Sequence, residues 1–210
     1  RSDAGRQRPG QRTGNLLTRR RDSAPCSVPC AHHPARNAVA GGSRYTVFDL
    51  DCDLDAGASG PGCARVAGLP RGVLWSRPSQ DRSSNVTGSS VFDFDADGVA
   101  EVVYGDECFL RIYRGTDGEV LFSQAASSGT GYELPVIADV DGDFNSEIVV
   151  AMTRGVTCPA TDPIFTRGTS TFASSTGIVV LRDAMDRWAA SRPIWNQHAY
   201  HVTHVSDEGT

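Results

Sequence analysis

Asp93-Phe94-Asp95-Ala96-Asp97-Gly98-Val99-Ala100-Glu101, followed by Val102-Val103-Tyr104, returns 46 residues later. The second copy is Asp139-Val140-Asp141-Gly142-Asp143-Phe144-Asn145-Ser146-Glu147, followed by Ile148-Val149-Val150. The acidic residues at positions one, three, five and nine coincide, and so does the apolar run behind them. A second landmark moves by nearly the same step: Gly72-Val73-Leu74-Trp75 recurs as Gly118-Glu119-Val120-Leu121-Phe122. Going back 44 residues from Asp93 reaches Asp49, Asp51, Asp53 and Asp55, entered from Val47-Phe48 as the first strong copy is entered from Val91-Phe92. This reads as a degraded third copy, because Gly57 stands where Glu101 and Glu147 stand. Ile112-Tyr113-Arg114 recurs as Val180-Leu181-Arg182 after 68 residues, and the extra length fits an insertion across 153–176, rich in Thr and Ser.

Within one repeat the apolar segments are short. Those at 134–139, 148–152 and 178–181 are rich in β-branched residues and bounded by Gly, Asp or Ser, which predicts strands. A period in the forties with about four strands per unit predicts propeller blades. The expected fold is therefore all-β, a partial β-propeller of about three blades, each of four short antiparallel strands. A parallel α/β fold needs helices between strands, and 183–191 is the one helix-like stretch.

Three carboxylates at alternating positions repel one another unless a cation joins them. A tight turn through positions one, three, five and nine directs hard oxygens inward, the kind of shell that Ca2+ takes. The expected ligands are Asp93, Asp95, Asp97, Glu101 and the Val99 carbonyl in one loop. In the other they are Asp139, Asp141, Asp143, Glu147 and Asn145, with Asp49, Asp51 and Asp53 as a tentative third set. Mg2+ fits less well, since it prefers fewer protein ligands and a regular octahedron. An EF-hand would need a Glu at position twelve and flanking amphipathic helices, but that position is Tyr104 or Val150 and the flanks are strand-like. An acidic turn without metal is the plain alternative.

The D-x-D-x-D-G-x-x-E pattern between short apolar strands resembles the FG-GAP/VCBS repeat of integrin-α-type β-propellers, in particular the bacterial secreted forms. Pro193-Ile194-Trp195-Asn196-Gln197-His198-Ala199-Tyr200-His201 is also similar to a stretch of bacterial secreted proteins that carry such repeats. The resemblance spans roughly residues 44–205. It implies calcium in the loops between the first two strands of a blade, in a secreted or surface protein. Phe144 departs from the Gly expected at position six of the second loop. If that position needs positive φ, the phenylalanine is strained there, unless Gly142 and Asn145 take up the turn.

The basic residues of the 210-residue chain are 20 arginines and no lysine. Eight arginines and two acids fall in 1–36, giving that segment +6 and the remainder −11. Residues 1–36 lack apolar periodicity and read as a disordered head, with the blades occupying 37–210. An acidic repeat region argues against nucleic acid, and no run of apolar residues is long enough for a membrane span. With no initial Met and an abrupt end at Thr210, the sequence reads as a piece of a longer chain whose remaining blades lie elsewhere.

Cys26, Cys30, His32 and His33 lie within eight residues, which does not give the two separated pairs of a structural zinc site. Cys108 and Cys158 flank the second strong loop and suit an extracellular disulfide, while Cys52 and Cys63 are placed to staple the degraded loop. Asn85-Val86-Thr87 is a chance sequon, and His198, His201 and His204 read as packed or surface histidines. No catalytic motif is present. The expected function is an extracellular module that binds a protein or glycan, with 153–176 as a contact loop. The alternatives are part of a secreted polysaccharide-active enzyme, using Arg111, Arg114 and the histidines, or a structural spacer.

Overall fold

The computed structural model describes residues 43–48, 68–82, 88–129, 134–153, 156–195 and 206. Among these the chain forms strands and no helix: β1 (Arg44–Phe48), β2 (Val73–Pro78), β3 (Ser89–Phe92), β4 (Glu101–Gly105), β5 (Phe109–Tyr113), β6 (Val120–Ala125), β7 (Val136–Ala138), β8 (Glu147–Met152) and β9 (Gly177–Leu181). The head at 1–36, the tentative loop at Asp49, Asp51 and Asp53, the Cys52–Cys63 pair, Asn85 and the histidines at 198, 201 and 204 lie outside the described residues.

The strands make three antiparallel sheets, ordered β1-β2, β3-β4-β5-β6 and β7-β8-β9. Pairing registers show which strands are equivalent. β4 meets β5 with Val103 opposite Ile112, and β8 meets β9 with Val149 opposite Val180, as the 46- and 68-residue shifts require. β5 meets β6 with Ile112 opposite Phe122 and a register shift before Tyr113–Val120. β1 meets β2 with Val47 opposite Trp75 and the same shift before Phe48–Val73. The three sheets are thus the last two strands of one blade, a whole blade, and the first three strands of the next, a partial propeller that does not close among the described residues.

This corrects the alignment of the degraded copy. β1 corresponds to β5, not to β3, so the segment holding Asp49, Asp51 and Asp53 joins the equivalents of β5 and β6. The two strong loops join β3 to β4 and β7 to β8. Val47-Phe48 imitates Val91-Phe92 in residue type but not in pairing.

Alternation along the strands gives each blade two faces. On β4, Val102 and Tyr104 pack back against Tyr45, Val47 and Trp75, while Val103 packs forward with Leu110 and Ile112. On β8, Ile148 and Val150 pack back onto that forward face. Val102, Val103, Leu110 and Ile148 are completely buried. Burial of such a side chain contributes about 1.5–3 kcal/mol, so the two inter-blade cores dominate the stability of the sheets. The forward face of the third sheet has no blade against it among the described residues. Ile178 and Val180, the equivalents of Leu110 and Ile112, are 68% and 52% exposed.

The 153–176 insertion, read from sequence as an open contact loop, is pinned to the middle blade. Cys158 is disulfide-bonded to Cys108 with Cα atoms 5.6 Å apart. Thr161 and Thr171 form an isolated bridge, and Phe172 meets Phe109 edge-on at 6.2 Å. The helix-like stretch from Asp183 forms turns instead. The Asp183 carboxylate accepts from the backbone N–H groups of Met185 and Arg187, and this side-chain bonding holds the turn in place of a helical ladder.

Candidate metal centres

Both acidic loops leave the first strand of their sheet, β3 or β7, through a turn organised by the loop's own carboxylates. The position-one carboxylate receives the N–H of position six, Gly98 on Asp93 at 2.9 Å and Phe144 on Asp139 at 3.1 Å. The position-three carboxylate receives the N–H of position five at 3.3 Å in each loop. The position-five carboxylate receives the N–H of position seven, Val99 on Asp97 at 2.7 Å and Asn145 on Asp143 at 2.8 Å. The position-nine carboxylate reaches back to the N–H of position two, Phe94 on Glu101 at 3.0 Å and Val140 on Glu147 at 2.9 Å.

Both turns need left-handed residues at positions four and six. In the first these are Ala96 at φ 57° and Gly98 at φ 90°; in the second, Gly142 at φ 82° and Phe144 at φ 74°. Each loop therefore has glycine at one of the two positions and an L-residue at the other. Phe144 does take positive φ, so Gly142 adds to it and does not replace it.

The turns gather Asp93, Asp95 and Glu101 in one loop, and Asp139, Asp141 and Glu147 in the other. Each trio has ligand oxygens within 4.8 Å of one another. Asp97 and Asp143 are not in these trios; their carboxylates cap the turn. Glu101 and Glu147 are buried, and burial together with the neighbouring aspartates raises both carboxyls above their ordinary range, against the pull of the Phe94 and Val140 N–H groups. Glu147 Oε1 is buried without a hydrogen-bond partner among the described residues. An all-oxygen trio that includes an orphaned buried carboxylate oxygen fits a hard divalent cation.

The segment after β9 ties the two loops together. The Ala189 N–H donates to the Phe94 carbonyl at 2.8 Å, and the Asp139 N–H donates to the Arg192 carbonyl at 3.2 Å. Trp188 packs on Phe94 with ring centroids 4.7 Å apart. Arg182 lies 3.9 Å from Asp141.

A third charged cluster has a different character. Arg111, fully buried, is ion-paired with Asp106 and with Asp162, the latter at 2.6 Å, and also meets Gln80. Ser123 donates to Asp162 at 2.6 Å. Burial alone would raise the Asp162 carboxyl, but the Arg111 guanidinium and the Ser123 hydroxyl hold it below its ordinary value. This cluster locks the insertion to the blade. Sequence offered no signal for it, because Arg111 and Asp162 are 51 residues apart and outside the repeated positions.

Residues 74–150 match the family model described as an FG-GAP-like repeat. No curated protein matches the chain. Among solved structures, the V. cholerae biofilm matrix protein Bap1 is similar, with 27% identity and a TM-score of 0.53 over 67% of this chain. The similarity spans 21% of that protein, about a fifth of its length. The matched family segment starts in β2, takes in the whole middle blade and both strong acidic loops, and ends in β8. Residues 74–150 of this chain are thus an FG-GAP-like repeat.

Proposed function

We propose that the chain is a calcium-binding module of an extracellular adhesion protein, in which Ca2+ rigidifies the inter-strand loops so that the propeller presents a protein or glycan ligand with a fixed surface. The observation that carries this reading is the duplicated trio. Two loops with one hydrogen-bond scheme converge Asp93, Asp95 and Glu101, and Asp139, Asp141 and Glu147, and one trio leaves Glu147 Oε1 without a partner among the described residues. Those residues would hold the ions; bound Ca2+ supplies charge neutralisation, and the surrounding N–H groups keep the carboxylates aimed.

The Cys108–Cys158 disulfide supports an oxidising compartment, and the likeness to a biofilm matrix protein supports a secreted or cell-surface bacterial setting. The module is read as non-catalytic. The sealing of Arg111 between two aspartates and the ion pairs of Arg114 with Asp117 and Glu119 support that reading. The exposed forward face around Ile178 and Val180 supports further blades of the same repeat as its neighbours in a longer chain.

Retention of the chain on immobilised bacterial matrix polysaccharide and on host-cell surfaces, with calcium and with chelator, tests the reading. Calcium-dependent retention on either supports adhesion. Turnover of the polysaccharide would overturn the non-catalytic assignment.

A further inference from the structure

The two inter-blade interfaces share their strand pairing, and one of the equivalent positions at which they differ decides how their crevices are filled. In the first, Trp75 on β2 fills the crevice beneath the turn that follows β5. Its indole Nε1 donates to the Gly115 carbonyl at 2.8 Å, and its ring lies so close to Gly118 that an added Cβ would come within 2.5 Å. The matching register makes Phe122 on β6 the equivalent of Trp75, and the turn after β9 the equivalent of the turn after β5. Asp186, at φ 49°, stands where Gly118 stands, at φ 71°. The smaller ring of Phe122 leaves the second crevice open as a cavity of about 460 Å3.

Ile112 and Phe122 form part of the cavity's apolar wall, and Phe94 and Trp188 line it together. Asp183 and Arg187 also line it as a two-bonded fork, with Arg187 Nε and Nη2 each 2.9 Å from the Asp183 carboxylate. Two of the five guanidinium N–H donors are engaged there, which leaves others for a ligand. Asp95 and Glu101 complete the wall from the acidic loop. Aromatic faces beside a few placed polar groups are the chemistry of a small-molecule site.

We propose that this cavity binds a sugar residue, with the apolar face of the pyranose against Trp188 and Phe122 and its hydroxyls on the Arg187–Asp183 fork. The assignment rests on the calcium reading of the first loop. Neutralising Asp95 and Glu101 leaves a wall suited to a neutral polyhydroxylated ring, whereas without the ion the same wall favours a cation.

The test follows the Trp188 indole N–H signal of the full chain, identified with Trp188→Phe, during titration with methyl gluco-, galacto- and mannopyranosides and the corresponding uronic acids. The proposal expects a saturable shift with at least one of them in calcium. Phe122→Trp, which fills the cavity, and Arg187→Ala, at an exposed side chain, should each weaken it about tenfold or more. Both variants should keep the calcium-induced rise in melting temperature. No shift with any glycoside in calcium overturns the proposal, as does unchanged binding by both variants, or a shift with an alkylammonium ion and none with the sugars. If calcium does not raise the melting temperature of the parent chain, the calcium reading fails; sugar shifts of Trp188 that persist unchanged in chelator would then overturn the dependence of the site on the ion. Loss of the sugar shifts in calcium alone, with the melting rise kept, overturns the sugar site and not the calcium reading.

Discussion

Replacing Phe144 by glycine should stabilise the protein, although it deletes a large apolar side chain. Phe144 sits at position six of the second loop at φ 74°, and its ring is 77% exposed, so the ring gains little from burial. The backbone is held there because the Phe144 N–H must reach Asp139, as the Gly98 N–H reaches Asp93. An L-residue in this conformation costs about 1–2 kcal/mol. Glycine removes that cost and returns about 0.4–1 kcal/mol through the greater freedom of the unfolded chain. The net expectation is a gain of about 1 kcal/mol, or roughly 2–4 °C in melting temperature for a chain of this size.

Two controls separate backbone from ring. Phe144→Ala keeps the Cβ and loses the ring, so its stability should stay near that of the parent. Gly142→Ala and Gly98→Ala introduce the cost in the opposite sense. A Cβ at either position meets nothing within 4 Å, so their destabilisation of about 1 kcal/mol would come from φ alone. Urea unfolding at saturating calcium and in chelator reads all four. If Phe144→Gly is neutral or destabilising while Gly142→Ala costs what is expected, the ring makes a stabilising contact and the reasoning is refuted.

Arg111→Met should destabilise the chain by about 3–5 kcal/mol, read from the urea midpoint, because Asp106 and Asp162 are left buried without their cation. The same cluster gives a pH dependence. The Asp162 carboxyl is lowered in the folded state, so its contribution is complete above the unfolded value of about 3.9 and is lost as pH falls through the lowered folded value. Asp162→Asn should flatten that part of the acid-unfolding profile, and an unchanged profile would contradict the assignment. Leu110→Ala should cost about 2–5 kcal/mol, whereas Ile178→Ala, at the equivalent place on the uncovered face, should change stability by under about 0.5 kcal/mol in this chain. Equal costs in calorimetry would mean that Ile178 is covered.

The repeat was legible in sequence wherever chemistry fixed it. The acidic positions needed for the turn, and the runs Val102-Val103-Tyr104 and Ile148-Val149-Val150 behind them, marked the middle blade and the start of the next. The 68-residue step to Val180 found β9 across the insertion because Ile112 and Val180 hold the same register against their neighbours. The first blade was misaligned because Val47-Phe48-Asp49 satisfies the same local pattern as Val91-Phe92-Asp93. Only pairing with β2, including its register shift, separates a third strand from a first.

The one helix-like stretch, from Asp183, is a turn for a local reason: an aspartate followed by the Met185 and Arg187 N–H groups can close a turn on its own side chain. The cavity was half visible, since the recurrence of Trp75 as Phe122 lay in the sequence. Its meaning depended on knowing which turn each ring faces. The Arg111 cluster was not legible, because its partners come from the insertion and from a turn, where no period applies.

The central claim is that the two acidic loops bind calcium as part of folding. A thermal melt of the chain and of Asp95→Ala/Asp141→Ala, in calcium and in chelator, tests it most directly. Binding only to the folded state adds about 2.7 kcal/mol per site at a hundredfold excess over Kd. The account predicts that calcium raises the melting temperature of the parent and that the double variant loses this rise. A folded parent that melts at the same temperature in calcium and in chelator would contradict the account and reduce the loops to acidic turns.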